Sequence, residues 1–153
     1  MKYLALIIIL FGAILFFNNT KENNELKVSQ EIDNSKDIKE VVTSEYTAQF
    51  KQMGEVEVEV TPIKLGPGQD MVFNLTLNTH SVELSYDYKN IAWVEDNLGN
   101  EYKPQEWSGG EGGHHLEGEL LFDELTSDSK NAKLIIDGID GEIAEFEWEL
   151  KRG

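Results

Sequence analysis

The sequence predicts an all-β domain, an antiparallel β-sandwich of about seven or eight strands. From Glu45 onward, apolar and polar residues alternate with a period of two, which is typical of half-buried strands. Clusters of glycine, proline, asparagine and aspartate interrupt this alternation about every ten residues, as turns between short strands do. An immunoglobulin-like topology is the commonest arrangement at this size, and a closed barrel is the alternative.

Several runs carry the alternation. The clearest is EVEVEV at 55–60, in which Val56, Val58 and Val60 share one face. The others are MVFNLTLN at 71–78, SVELSYDY at 81–88, IAWVED at 91–96, HLEGELLF at 115–122, AKLIID at 132–137 and EIAEFEWEL at 142–150. The apolar centre of AKLIID predicts a strand buried on both faces, and Gly118 predicts a bulge or close packing under an aromatic ring.

The N-terminus has the pattern of an export signal. Lys2 precedes an uncharged apolar run at residues 3–17, which as a helix spans about 22 Å, less than the roughly 30 Å of a bilayer core. Such a length is typical of a cleaved signal peptide, but no pair of small residues follows the run. We therefore expect an uncleaved signal anchor at 1–17. It makes the chain a single-pass protein of the cell membrane, with its C-terminal part extracytoplasmic.

Residues 18–44 are polar and contain no aromatic side chain, which predicts a flexible linker between the anchor and a β-sandwich domain at 45–153. The chain has 29 acidic and 13 basic residues and a net charge of −16. This charge repels nucleic acid and keeps a protein soluble. The chain has no cysteine, so disulfides, thiolate metal sites and cysteine nucleophiles are excluded.

The three histidines are the candidate metal ligands. His80, His114 and His115 offer imidazole nitrogens, the usual ligands of copper and zinc. Neighbours in a strand point to opposite faces, so we expect His80 to pair with only one of the other two unless a loop holds them together. Carboxylates that could complete such a site are Glu83, Asp87 and Glu111. The adjacent glycines that would let the loop bend are Gly109, Gly110, Gly112 and Gly113, and Trp107 would form a wall of the site.

The alternative is that the histidines are structural. Trp107 would then fill the core, and the domain would be a protein or polymer interaction module that binds through its loops. In either case we expect a monomer that binds a metal ion or an extracytoplasmic protein. No G-x-S-x-G, H-E-x-x-H or phosphate-loop pattern is present, so the prediction is a binding protein rather than an enzyme.

Two loops rich in carboxylates, at 123–131 and 137–142, leave calcium as a further option. Neither loop has the EF-hand spacing. Hairpin turns account for the Asp-Gly pairs of the second loop without any ion.

Three stretches together resemble a known group of proteins. They are FNLTLNTHSVELSYD at 73–87, WSGGEGGHHLEGELLF at 107–122 and LIIDGIDGEIAEFEWEL at 134–150. They are similar to a family of exported bacterial and archaeal β-sandwich domains in which a THS turn and a W-x-G…GGHH-x-x-G-x-L-x-F segment recur together. The resemblance implies the fold, and a setting related to metals, without an established activity.

Overall fold

The computed structural model describes residues 45–151, which fold into two antiparallel β-sheets and one short helix. The strands are β1 (Gln49–Met53), β2 (Val56–Lys64), β3 (Asp70–Asn78), β4 (Ala92–Asp96), β5 (Glu101–Tyr102), β6 (Pro104–Trp107), β7 (His115–Glu124), β8 (Asn131–Ile139) and β9 (Glu142–Glu149), and helix α1 spans Tyr88–Ile91. Sheet A has the order β1-β2-β3-β7-β6, and sheet B has the order β5-β4-β8-β9. The predicted antiparallel all-β fold in two sheets is confirmed.

The period-two alternation directs one side of each long strand into a shared core. Val56, Val58 and Val60 are fully buried, as EVEVEV predicts. Phe73 of sheet A contacts Trp148 of sheet B, with ring centroids 5.5 Å apart, so side chains of both sheets meet in one core. Ile135 on β8 is also buried, which confirms the prediction that AKLIID is covered on both faces.

The predicted strand at 81–88 is wrong. Residues 79–87, the crossover segment, carry the chain from β3 of sheet A to α1 and then β4 of sheet B, without a ladder to any strand. Leu84 and Tyr88 are nevertheless buried, and Val82 and Tyr86 are half-buried. Extended backbone alternates its side chains whether or not it is hydrogen-bonded to a neighbour, so the pattern does not distinguish this connection from a strand.

The described residues contain nine strands, more than the sequence pattern indicates. The additional strands β1, β5 and β6 are short edge strands that lack clean alternation. In β1, for example, three consecutive residues from Phe50 to Gln52 are exposed. An edge strand that is buried at only one end has too few apolar positions for its sequence to show the alternation of a strand.

The β8–β9 hairpin turns on Asp140 and Gly141, which both have positive φ, at 49° and 78°. A two-residue loop with this geometry is a type I′ turn, the form that an Asp-Gly pair favours. The Asp140 side chain also accepts a hydrogen bond from the backbone N–H of Glu55, at 2.8 Å, and its backbone N–H donates to the Tyr86 hydroxyl, at 3.1 Å. This turn therefore ties sheet B to the β1–β2 turn of sheet A and to the crossover segment.

Asp96 is a carboxylate buried at the end of β4, 8% exposed. Its oxygens accept hydrogen bonds from the backbone N–H groups of Leu98 and Asn100 and from the Asn100, Tyr102 and Ser129 side chains, at 2.7 to 3.1 Å. Burial raises the pKa of Asp96, but the hydrogen bonds from Asn100, Ser129 and Leu98 outweigh that effect and lower the pKa to about 2. The charged carboxylate therefore organises the β4–β5 turn.

The predicted signal anchor at 1–17 and linker at 18–44 lie outside the described residues. Among residues 45–151, no helix is both long and apolar enough to cross a membrane.

Candidate functional site

The THS turn follows directly from the end of β3. Thr79 is buried, and its hydroxyl accepts hydrogen bonds from the backbone N–H groups of Ser81 and Val82, each at 3.3 Å. Its backbone N–H donates to the carbonyl oxygen of His114, at 2.9 Å. These bonds fold the chain tightly after the strand and leave His80 exposed at the tip of the turn.

The glycine loop, residues 108–114, connects β6 to β7 and lies against the crossover segment. Gly112 and Gly113 have positive φ, at 78° and 84°. Their backbone N–H groups donate to the Leu84 carbonyl, at 3.3 Å, and to the Glu83 carboxylate, at 2.6 Å. The glycines allow this backbone conformation, and the hydrogen bonds fix the position at which β7 begins.

The Trp107 ring accounts for Gly109 and Gly110, the other two glycines of the glycine loop. Its indole N–H donates to the Gly110 carbonyl at 3.2 Å, so the loop folds back over the ring. A Cβ atom at Gly109 would lie 2.1 Å from the ring, and a Cβ at Gly118 would lie 2.6 Å from it. Gly118 therefore packs closely under an aromatic ring, as predicted, and the β3–β7 pairing passes through it without a register shift.

The structure brings His80 and His115 together. Their ring centroids are 6.4 Å apart and the rings are nearly perpendicular. Asn78 pairs with His115 across β3 and β7, and its side-chain oxygen lies 2.8 Å from His115 Nδ1. An amide oxygen only accepts hydrogen bonds, so Nδ1 carries the proton in the neutral ring and the lone pair is on Nε2. His115 is thus oriented with one nitrogen available to a ligand.

Both histidines line a depression of about 300 Å³ at the end of sheet A. The residues of this histidine depression are Glu55, Glu57, Asn78, Thr79, His80 and His115. Glu57 faces Asn78 in the β2–β3 register, so Glu57, Asn78 and His115 form one row across three strands. The Glu55 carboxylate accepts a hydrogen bond from the Ser81 hydroxyl, which holds it beside the THS turn.

The sequence prediction omitted both of these glutamates. The EVEVEV pattern places Glu57 on the outer face of β2, but it cannot show which residue of β3 or β7 lies beside it. That register depends on strand pairs that are distant in sequence, so the row of Glu57, Asn78 and His115 becomes visible only in the folded chain.

The remaining predicted ligands lie elsewhere. His114 contributes its backbone carbonyl to the THS turn, and its side chain is exposed. The Glu83 carboxylate accepts hydrogen bonds from the Gly113 N–H and the Ser85 hydroxyl. Asp87 and Glu111 line a second cavity, separate from the histidine depression.

This crossover cavity has a volume of about 430 Å³ and lies between the crossover segment and the glycine loop. Its residues are Ser85, Tyr86, Asp87, Tyr88, Lys89, Trp107 and Glu111. Tyr88 and Trp107 stack with centroids 4.6 Å apart, and burial, followed by the proximity of Tyr86, raises the pKa of the Tyr88 phenol. Trp107 therefore sits at the edge of the core and also forms a wall of this cavity.

Within residues 45–151, no group of three or more histidine, aspartate or glutamate side chains has an arrangement that could hold a metal ion. In that part of the chain His80 and His115 are the histidines whose rings lie close together. No family model, curated protein or solved structure matches the chain. The resemblance to exported β-sandwich domains stays a prediction.

Proposed function

We propose that the chain is a membrane-anchored, extracytoplasmic binding protein that takes copper(II) or zinc(II) at its histidine pair. The observation that carries the proposal is the pairing of His80 with His115, in which Asn78 holds one nitrogen of His115. A metal-ligating histidine commonly donates its other ring N–H to an oxygen acceptor in this way. The proposed role is binding rather than catalysis.

The geometry requires a small closure of the pair. With metal–nitrogen distances of about 2.0 to 2.1 Å, two imidazoles around a tetrahedral ion have centroids about 5 Å apart. The observed separation is 6.4 Å, and both side chains are exposed, so modest side-chain rotations would bring the rings into range. Water would occupy the remaining coordination positions, because no third histidine, aspartate or glutamate of residues 45–151 is arranged to share an ion with the pair.

The strand order supports an immunoglobulin-like topology for the sandwich. Strands β2, β3, β7 and β6 correspond to the A-B-E-D sheet of that fold, and β5, β4, β8 and β9 to its C′-C-F-G sheet, with β1 as an additional edge strand. The proposed location rests on the apolar run at 3–17 and the positive residue before it.

Calorimetric titration of the detergent-solubilised full chain with copper(II) and with zinc(II) tests the proposal. We expect one ion per chain, with binding lost in His80→Ala and in His115→Ala. His114→Ala is the matched control and should retain the affinity, because only the backbone of His114 takes part in the site. Binding should weaken from pH 7.5 to pH 5.5, since protons compete for the imidazole lone pairs.

Equal loss in the His114→Ala and His115→Ala variants would contradict the proposed pair, as would an absence of binding at both pH values. In the second case the histidines would be structural and the chain a non-metal interaction module. The crossover cavity, with its aromatic and charged walls, is the observation that favours this second candidate.

A further inference from the structure

The crossover cavity is a second site with a chemistry of its own. Backbone hydrogen bonds fix both of its sides, because Leu84 donates to the Gly113 carbonyl at 3.1 Å and accepts from Gly112 at 3.3 Å. Its inner part rests on the buried Tyr88 ring stacked on Trp107. The cavity is therefore a preformed feature of the fold, independent of the histidine depression.

The charged groups of the cavity favour a cation. Asp87 and Glu111 provide two carboxylates, against the single ammonium group of Lys89. The rest of the chain strengthens this bias, because the net charge of −16 concentrates cations near the surface. Aromatic rings beside the carboxylates offer apolar surface to a ligand that has a hydrocarbon stem as well as a charge.

We propose that the crossover cavity binds a lysine or arginine side chain of a partner protein. The ammonium or guanidinium group would lie between Asp87 and Glu111, and the aliphatic stem would pack along the exposed parts of Tyr86 and Trp107. A volume of about 430 Å³ has room for one long side chain. The proposal does not depend on metal binding at His80 and His115.

The first test uses N-acetyl-arginine methylamide as the probe and its uncharged citrulline analogue as the ligand control. Titrations of the full chain in detergent are followed through the indole N–H resonance of Trp107. We expect arginine to shift this resonance saturably and citrulline to bind at least about tenfold more weakly, since it lacks the charge-assisted hydrogen bonds. Equal binding of the two probes, or no shift with arginine, would overturn the proposal.

Variants then locate the site and the sign of its charge. Asp87→Asn and Glu111→Gln should each weaken arginine binding about tenfold, whereas Glu119→Gln, which removes an exposed carboxylate from β7, should leave it unchanged. Lys89→Ala should strengthen binding, because it removes the one cation of the cavity. Loss of arginine affinity in Lys89→Ala would mean that Lys89 helps to hold the probe instead of repelling it, and equal loss in Glu119→Gln would mean general electrostatic attraction. Either result refutes the assignment.

His80→Ala separates this inference from the proposed metal site. It should abolish metal binding and leave the arginine titration unchanged. If it removes arginine binding as well, the probe binds in the histidine depression and the crossover cavity is not its site.

Discussion

At the scale of single residues, Asp96 shows how one buried charge can organise a turn. Five donors surround its carboxylate, and four of them belong to the β4–β5 turn and to Tyr102 next to it. Its neutral form would accept fewer of these bonds, so the fold and the ionised state stabilise each other.

Asp96→Asn should therefore lower the free energy of unfolding by about 2 kcal/mol at pH 7. In the wild type, the pKa of Asp96 is lowered from 3.8 to about 2. Its contribution to the free energy of unfolding is therefore fully present above the unfolded pKa of 3.8 and is lost as the pH falls through about 2. Urea unfolding of both proteins at pH 6 and at pH 2 measures the difference, which should be smaller at pH 2.

Asp137→Asn is the control for this experiment, because Asp137 is an exposed carboxylate on β8. Its effect should stay within about 0.5 kcal/mol at either pH. A pH dependence of Asp137→Asn as large as that of Asp96→Asn would attribute the effect to net charge instead of the buried hydrogen bonds.

At the scale of elements, the packing of β7 against Trp107 depends on the absence of a side chain at position 118. A Cβ atom on Gly118 would lie 2.4 Å from the Gly109 Cα and 2.6 Å from the Trp107 ring. Gly118→Ala should destabilise the domain by about 1 to 3 kcal/mol through overpacking, measured as a lower Tm.

Gly110→Ala makes the same chemical change in the neighbouring glycine loop but should have little effect. The nearest atom to its added Cβ would be 3.8 Å away, in ordinary contact, and its φ is not positive. If both variants lower the Tm equally, loop flexibility rather than the close approach at Gly118 explains the loss.

The elements also show what the sequence could and could not predict. Gly118 in a run of alternating residues predicts either a bulge or close packing under a ring, and the structure shows the second. The same alternation at 81–88 led to a strand that does not exist, since an unpaired crossover segment also has one buried side. Backbone pairing is non-local, and no pattern within eight residues records it.

The candidate site shows the same difference between features that are local in sequence and features that depend on strand pairing. The proximity of His80 to His115 agrees with the expectation that only one neighbour of the HH pair would face His80. The predicted carboxylates lie near the histidines in sequence, but Asp87 and Glu111 line the crossover cavity. Glu57 lies in one row with Asn78 and His115 through the β2–β3–β7 register, and Glu55 is held beside the THS turn by Ser81. The sequence displays neither arrangement.

At the scale of the whole molecule, the excess of acidic residues opposes the compact state. The ion pairs found among residues 45–151 are all between exposed or partly exposed side chains, where each contributes little. Repulsion among 29 acidic residues should therefore dominate at low ionic strength.

We expect the Tm to rise by several degrees, on the order of 5 °C, between 10 mM and 200 mM sodium chloride, as salt screens this repulsion. Differential scanning calorimetry at pH 7 measures the change, and 200 mM of an uncharged osmolyte is the control for non-ionic effects. A fall in Tm with salt would show that attractive pairs outweigh the repulsion.

The direction of β1 places Glu45 and the histidine depression at opposite ends of sheet A. The chain enters the described part at Glu45, which pairs with Lys151, and β1 then runs toward the Gly54–Glu55 turn beside His80. The nine residues of β2, about 30 Å of strand, separate the two ends of sheet A. The histidine depression therefore lies at the end of sheet A opposite the pair formed by Glu45 and Lys151.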